Sequence, residues 1–183
     1  MAKTVNSIET NYGALFNDNY GDINFNHVST KESELRKILD VMLESTVYDI
    51  DELDTSDYDI YAKLEHNNVA GEWMEIIFDY PAYEDAINDA LKENEDGIPQ
   101  KPKFLMQIRN YYRRAKTDLK IPPNCQDSIK EHSTAILNKV KNYYMEFLLG
   151  RNELQQHYDE TNVQLLVAYG FVECKVLEKP LKA

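Results

Sequence analysis

Apolar positions change their spacing at Ser29, and the two sides of that change predict different structures. Beyond it, Leu35, Ile38, Leu39, Met42 and Leu43 recur at three-and-four spacing, which predicts an amphipathic helix over about 31–45. Ser29-Thr30-Lys31-Glu32 fits a capping box, with Ser29 as N-cap and Glu32 reaching back to it. From Tyr58 the pattern reads as successive short helices. Tyr61, Leu64 and Val69 lead into Trp73, Ile76, Ile77 and Tyr80, and Asn67-Asn68 marks a break between them. Pro81 suits the first turn of a helix using Tyr83, Ala86, Ile87, Ala90 and Leu91, with its stop at Asp96-Gly97-Ile98-Pro99. Phe104, Leu105, Ile108, Tyr111 and Tyr112 predict a further helix, closed by Ile121-Pro122-Pro123. The longest helix is expected over about 124–149, lined by Ile129, Ile136, Leu137, Val140, Tyr143, Tyr144, Phe147 and Leu148, with Gly150 as its stop. The run near 160–178 is apolar on several sides, which predicts a buried helix, with a strand as the alternative, ended by Pro180.

Ahead of Ser29 the helical spacing is absent. Asn11-Tyr12-Gly13-Ala14-Leu15 returns eight residues later as Asn19-Tyr20-Gly21-Asp22-Ile23, and Phe16 and Phe25 follow closely. Gly and Asn accept positive φ while Leu, Ile, Phe and Tyr suit extended chain, so turn–strand–turn–strand is the natural expectation. Two such strands cannot bury enough surface alone. They either join the main body or other copies of themselves through Tyr12, Phe16, Tyr20, Ile23 and Phe25, or form a flexible Asn-rich arm. The expected architecture is mainly α: a multi-helix single interaction domain over 29–183, preceded by a short extended or β-hairpin-like arm over 1–28. With only six Gly and six Pro, composition leaves little room for a turn-rich β fold.

Charge changes the picture more than composition does. The net charge is −12, but residues 1–100 hold 6 Lys/Arg against 23 Asp/Glu, whereas residues 101–183 hold 14 against 9. An acidic first half disfavours approach of nucleic acid and suits a basic partner. Its densest part, Glu44 to Asp59, carries seven carboxylates. Asp49, Asp51 and Asp54 invite an EF-hand reading, but the turn glycine is missing and Ile60 stands where the bidentate glutamate belongs. The stretch reads instead as a solvated linker, and with Asp57 these residues are a candidate acidic docking face. In the second half, Arg109-Asn-Tyr-Tyr-Arg113-Arg114-Ala-Lys116 places Arg109 and Arg113 one helical turn apart. Its tyrosines could stack on bases, yet they also continue the apolar face, which leaves Arg109, Arg113 and Arg114 as a basic docking face for an acidic protein surface.

Candidate chemistry is sparse. His27, His66, His132 and His157 stand singly, without the spacing of a helix-borne metal site, and no GxxxxGK[ST], GxGxxG or GxSxG is present. No cofactor or metal is therefore expected, and no enzymatic activity, although a site built from scattered residues would leave no such trace. Two cysteines, Cys125 and Cys174, are too few for a disulfide framework and read as partly buried thiols of a reducing cytoplasm. No run approaches ~20 apolar residues, and MAKTVNSIET lacks the apolar core of a secretory signal, so neither a membrane span nor export is expected.

Three stretches carry a resemblance to a family. The Asn/Gly-rich start is similar to leaders on proteins of bacterial conflict systems. Tyr61-Ala-Lys63-Leu64-Glu-His66-Asn67-Asn68 looks like a "K-[IL]-x-x-N" segment following a loop. Ala168-Tyr-Gly-Phe171-Val-Glu-Cys174-Lys175-Val-Leu177-Glu-Lys-Pro180 resembles an "AF-x-x-CK-[IL]-[FL]-x-x-P" terminus. Together they resemble the C-terminal connecting domains of bacterial ABC-three-component conflict systems, over most of residues 29–183. The resemblance implies an antiviral assembly component, without catalysis of its own, that links an effector to a middle component and an ABC-type ATPase within a homo- or hetero-oligomer. Such domains commonly follow an effector domain, whereas here a short leader precedes the helices, so the effector activity is expected in another chain. A rival expectation from the acidic first half is a regulator or inhibitor that mimics nucleic acid and fills a partner's basic groove.

Overall fold

The computed structural model describes residues 33–43, 60–92, 98–123, 125–150, 159–173 and 176–177. The arm residues, the Ser29 capping box, the acidic 44–59 stretch, His157, Cys174, Lys175 and Pro180 lie outside them. Among the described residues the chain is helical and holds no β-strand. In chain order the helices are α1 (33–43), α2 (Ile60–His66), α3 (Glu72–Asp79), a 3₁₀ turn at Tyr80–Tyr83, α4 (Glu84–Ala90), α5 (Lys101–Asp118), α6 (Gln126–Glu131), α7 (Ser133–Leu149) and α8 (Glu160–Glu173).

Helix α8 sits at the centre. Its residues Asn162 through Phe171 are all buried, which leaves this part of the helix without a solvated face. Asp159 starts it, accepting a bond from the Thr161 amide through its side chain (3.0 Å) and one from the Asn162 amide through its carbonyl (3.0 Å). Around α8 pack α3, α5, α7 and the 3₁₀ turn. The five apolar positions read from α1, Leu35, Ile38, Leu39, Met42 and Leu43, all enter the same core. Helices α5 and α7 run antiparallel, with Phe104 stacked on Tyr144 at one end and Asp118 paired with Lys139 at the other. Where α8 packs on α5, a Cβ added to Gly170 would meet Ile108 Cδ1 at 2.1 Å and Cγ2 at 2.9 Å, so a larger residue requires Ile108 to move.

A polar side chain or charge on α8 that left water unpaired would cost about 1–3 kcal/mol, and each of its long-range bonds goes to a different helix. Asn162 donates to Glu34 of α1 (2.8 Å), Gln164 to Glu72 of α3 (2.7 Å) and Tyr169 to Asn88 of α4 (2.8 Å). Glu173 pairs with Lys101 of α5 at 2.7 Å, and Glu160 with Lys141 of α7. Lys63 of α2 donates to the Phe171 carbonyl and lies 4.5 Å from that residue's ring centroid.

Helix ends follow recognisable rules. At the expected Asn67-Asn68 break, Asn68 adopts φ 52°, with bonds from Val69 N to Leu64 O and Asn68 N to Glu65 O, which makes a Schellman closure. Lys120 closes α5 the same way at φ 55°, and the following Ile121 is buried. Two expectations are corrected. The span 124–149 is not one helix: His132 sets both its amide and its ring Nδ1 against the Ser128 carbonyl (3.1 and 2.8 Å), and its ψ of 12° separates α6 from α7. Helix α5, at 18 residues, is therefore the longest among the described residues. Helix α4 closes at Ala90, well before Gly97, because the Leu91 and Lys92 carbonyls accept from the Lys101 and Gln100 amides at the entry to α5.

Gly170→Ala is expected to destabilise the fold by about 1–3 kcal/mol despite better helix propensity, because Ile108 is fully buried and cannot retreat. Adding Ile108→Val, which removes the nearest methyl, should recover part of the loss in urea unfolding. Lys120→Gly should instead raise stability by about 1 kcal/mol, since a left-handed C′ position favours glycine.

Candidate interaction surface

Helix α3 has two apolar faces. Trp73, Ile76 and Ile77 point into the core, so Met74 and Phe78, one turn apart, fall on the outer side and are exposed. On α2, Lys63 and Leu64 turn inward and leave Tyr61 outside, 68% exposed. The Tyr61 and Phe78 rings meet with centroids 5.1 Å apart and planes at 38°, forming a paired aromatic centre beside Met74. Tyr61 is thus not part of the buried stripe expected to lead into Trp73. Glu65 lies one turn beyond Tyr61, and Glu75 and Asp79 lie beside Met74 and Phe78; all three are exposed. Lys63 is the sole Lys or Arg in α2 and α3, and it is buried. The face is apolar at its centre and negative at its rim.

The basic candidate residues lie on α5. Arg113 and Arg114 are exposed and Arg109 is half-buried. Arg114 stacks its guanidinium 4.3 Å from the Tyr143 ring centroid. The Tyr143 hydroxyl donates to Asp118 at 2.5 Å, and Lys139 approaches the same carboxylate at 3.6 Å. The tyrosines once available for stacking on bases are committed elsewhere: Tyr112 is buried, and Tyr111 packs edge-on against Tyr144 at 4.7 Å. Tyr12, Phe16, Tyr20, Ile23, Phe25, Asp49, Asp51, Asp54 and Asp57 lie outside the described residues.

A third feature is a cleft of about 610 Å³ between the end of α4 and the start of α5, lined by Asn88, Leu91, Lys92, Pro99 and Lys101. Ionisable groups gather beside it. Lys101 pairs with Glu173 and lies 5.5 Å from the Tyr169 ring centroid, and Tyr169 meets Tyr80 edge-on at 5.9 Å. Burial, and then the negative charges of Glu84 and Glu173, push both phenols above their ordinary value. A general base or nucleophile at neutral pH needs the opposite shift. Lys92 pairs with Asp89 one turn back, and Asn88 of α4 accepts from the Tyr169 hydroxyl of α8. Among the described residues no three His, Cys, Asp or Glu side chains gather to hold a metal ion.

In the sequence the outer face of α3 is obscured by the stronger Trp73–Ile77 stripe. Its trace in the sequence is the Met74–Phe78 pair, one turn apart and off that stripe.

Three tyrosines bear on alkaline stability. Burial first, and then the Asp118 bond, push Tyr143 up to about 12, while that same bond holds the Asp118 carboxyl below its usual range. Tyr80 and Tyr169 are raised as well. A phenol whose pKa is raised on folding stabilises the fold fully below the unfolded value of about 10 and loses that contribution as pH climbs through the folded value. Urea midpoints should therefore be flat near pH 8–9 and fall steeply above about pH 10. Tyr143→Phe should lower stability at pH 8 by about 1 kcal/mol and shrink the loss between pH 10 and 12; an undiminished alkaline loss would contradict the assignment.

No family model, no curated protein and no solved structure matches this chain.

Proposed function

We propose that this chain is a non-catalytic connector, a cytoplasmic assembly component that joins partner proteins in a bacterial antiviral defence complex. Its partners in that reading are an ABC-type ATPase and a middle component of an ABC-three-component system. The observation that carries the binding role is the Tyr61–Met74–Phe78 face, an apolar surface set on helices whose other sides are fixed in the core. Exposed aromatic and methionine side chains grouped between charged residues are the composition of protein-binding surfaces. The interior agrees with that role, since Asn162 Nδ2, Gln164, Tyr169 and Glu173 of α8 are engaged in helix-to-helix bonds.

The defence setting rests on the resemblance. Lys63 and Phe171 come from the two separate segments that carry it, and they meet in the fold through the Lys63 amine and the Phe171 carbonyl and ring. Asn67 of the first segment adds a side-chain bond to the Lys63 carbonyl at 2.8 Å, which fixes the turn beneath that contact. These contacts give both short motifs a common structural purpose, which supports treating them as one unit. Among the described residues no helix is long and apolar enough to cross a membrane.

Co-expression with an ABC-type ATPase and a middle component encoded beside the gene tests the proposal. A stable complex containing all three chains, with its mass read by light scattering after size exclusion, is the expected result. A chain that elutes apart from both overturns the connector reading.

A further inference from the structure

The outer face of α2 and α3 has a definite chemical preference. Its centre is Tyr61, Phe78 and Met74, and the exposed charges that α2 and α3 place beside these three are the carboxylates Glu65, Glu75 and Asp79. The cation that these helices possess, Lys63, is withdrawn into the core against Phe171 and does not offset that rim. A face with one sign of charge around an apolar centre attracts the opposite sign and rejects its own. Another acidic chain is therefore excluded, and a plain polyanion such as nucleic acid is repelled.

We infer that the Tyr61–Met74–Phe78 face docks a basic amphipathic helix of a partner protein, with aliphatic side chains seated on the aromatic pair and flanking Lys or Arg reaching Glu65, Glu75 and Asp79. This deepens the connector reading and rests on it. The geometry suits a helix as the occupant. Met74 and Phe78 lie one turn apart, about 6 Å along α3, which matches the i, i+3 and i+4 spacing of apolar anchors on an incoming helix. Met74 adapts its unbranched side chain to the anchor it meets, and the Tyr61 and Phe78 rings, in contact with each other, present a joint apolar surface. The basic α5 surface of a second copy is a poorer occupant. Its exposed residues Arg113, Arg114, Thr117, Asp118 and Lys120 include no aliphatic anchor, and Arg114 is already stacked on Tyr143.

The full chain is tested with two labelled helical peptides of about 16 residues, one of leucine and lysine with leucines at i, i+3, i+4 and i+7, and one with glutamate replacing lysine. Fluorescence anisotropy should show binding of the lysine peptide and none of the glutamate peptide. Phe78→Ser, and separately Glu75→Lys with Asp79→Lys, should each weaken binding by roughly tenfold or more. These positions are exposed, and an unchanged urea midpoint shows that the fold survives. Binding that persists in both variants overturns the inference, as does loss of binding only on charge reversal of Asp49, Asp51, Asp54 and Asp57. Failure of the lysine peptide to bind overturns it too. Repeating the co-expression with Phe78→Ser separates the two readings. A complex that forms equally well with this variant leaves the connector standing and removes this face from it. Site-specific peptide binding without any complex keeps the face and removes the assignment of the ATPase and middle component as partners.

Discussion

The burial of α8 on every side is the constraint on which the rest of the structure depends. A helix with one apolar stripe needs a single neighbour, but one buried all round must be enclosed by several. Short helices achieve that enclosure here. Those of seven or eight residues, such as α2, α3 and α4, are too short to be stable alone in water and hold their shape by packing. The apolar sides of α8 therefore give the surrounding helices a common surface to bury against, and its polar residues supply direction. Asn162, Gln164, Tyr169 and Glu173 each have one distant partner on a different element, so a rotation or slip of α8 would break several bonds together. Gly170 sets the depth of the helix, because the Ile108 side chain occupies the space a methyl group would need.

This internal use of polarity shapes what remains outside. Tyr80, Tyr143 and Tyr169 are held as neutral phenols by burial and neighbouring carboxylates. Tyr111 and Tyr144 fill the seam between α5 and α7. The chain's many tyrosines thus serve mostly as packing groups with a polar end. Tyr61 is different, for its ring lies on Phe78 at the surface instead of beneath it.

How much of this was legible depended on whether a pattern was carried by one helix face or set by neighbours. The stripe from Leu35 to Leu43 and the apolar run beginning at Val163 were readable because burial on one side, or on all sides, leaves a direct trace in residue type. The turn at Asn67-Asn68 was readable because Asn tolerates the left-handed backbone that closes a helix. Lys120 takes up the same conformation without any such propensity, and its closure of α5 was visible only through the prolines that follow. His132 is a mid-range helix residue, and the break there comes from a local bond of its ring to Ser128, which periodicity does not register. The early end of α4 depends on amides from residues 100 and 101, a contact made by the returning chain. Arg109, Arg113 and Arg114 were correctly placed on one helix, but their tyrosine neighbours turned out to be core and not surface.

Helix α3 joins the interior to the surface. Its inner side is pinned by Trp73, whose indole donates to Asn138 of α7 at 2.8 Å, and by Glu72, which accepts from Gln164 of α8. Those bonds come from two different helices and meet neighbouring residues of the first turn, so the helix cannot roll about its axis without losing both. Met74 and Phe78 are displaced from Trp73 and Ile77 by one residue each, which is about 100° around the helix. Fixing the inner pair therefore fixes the direction in which the outer pair points. A surface built this way loses little conformational freedom when covered. In a loop, the same three apolar side chains would be as exposed but would have no defined spacing. The feature that makes this face suited to recognition is thus the rigidity it inherits from α8.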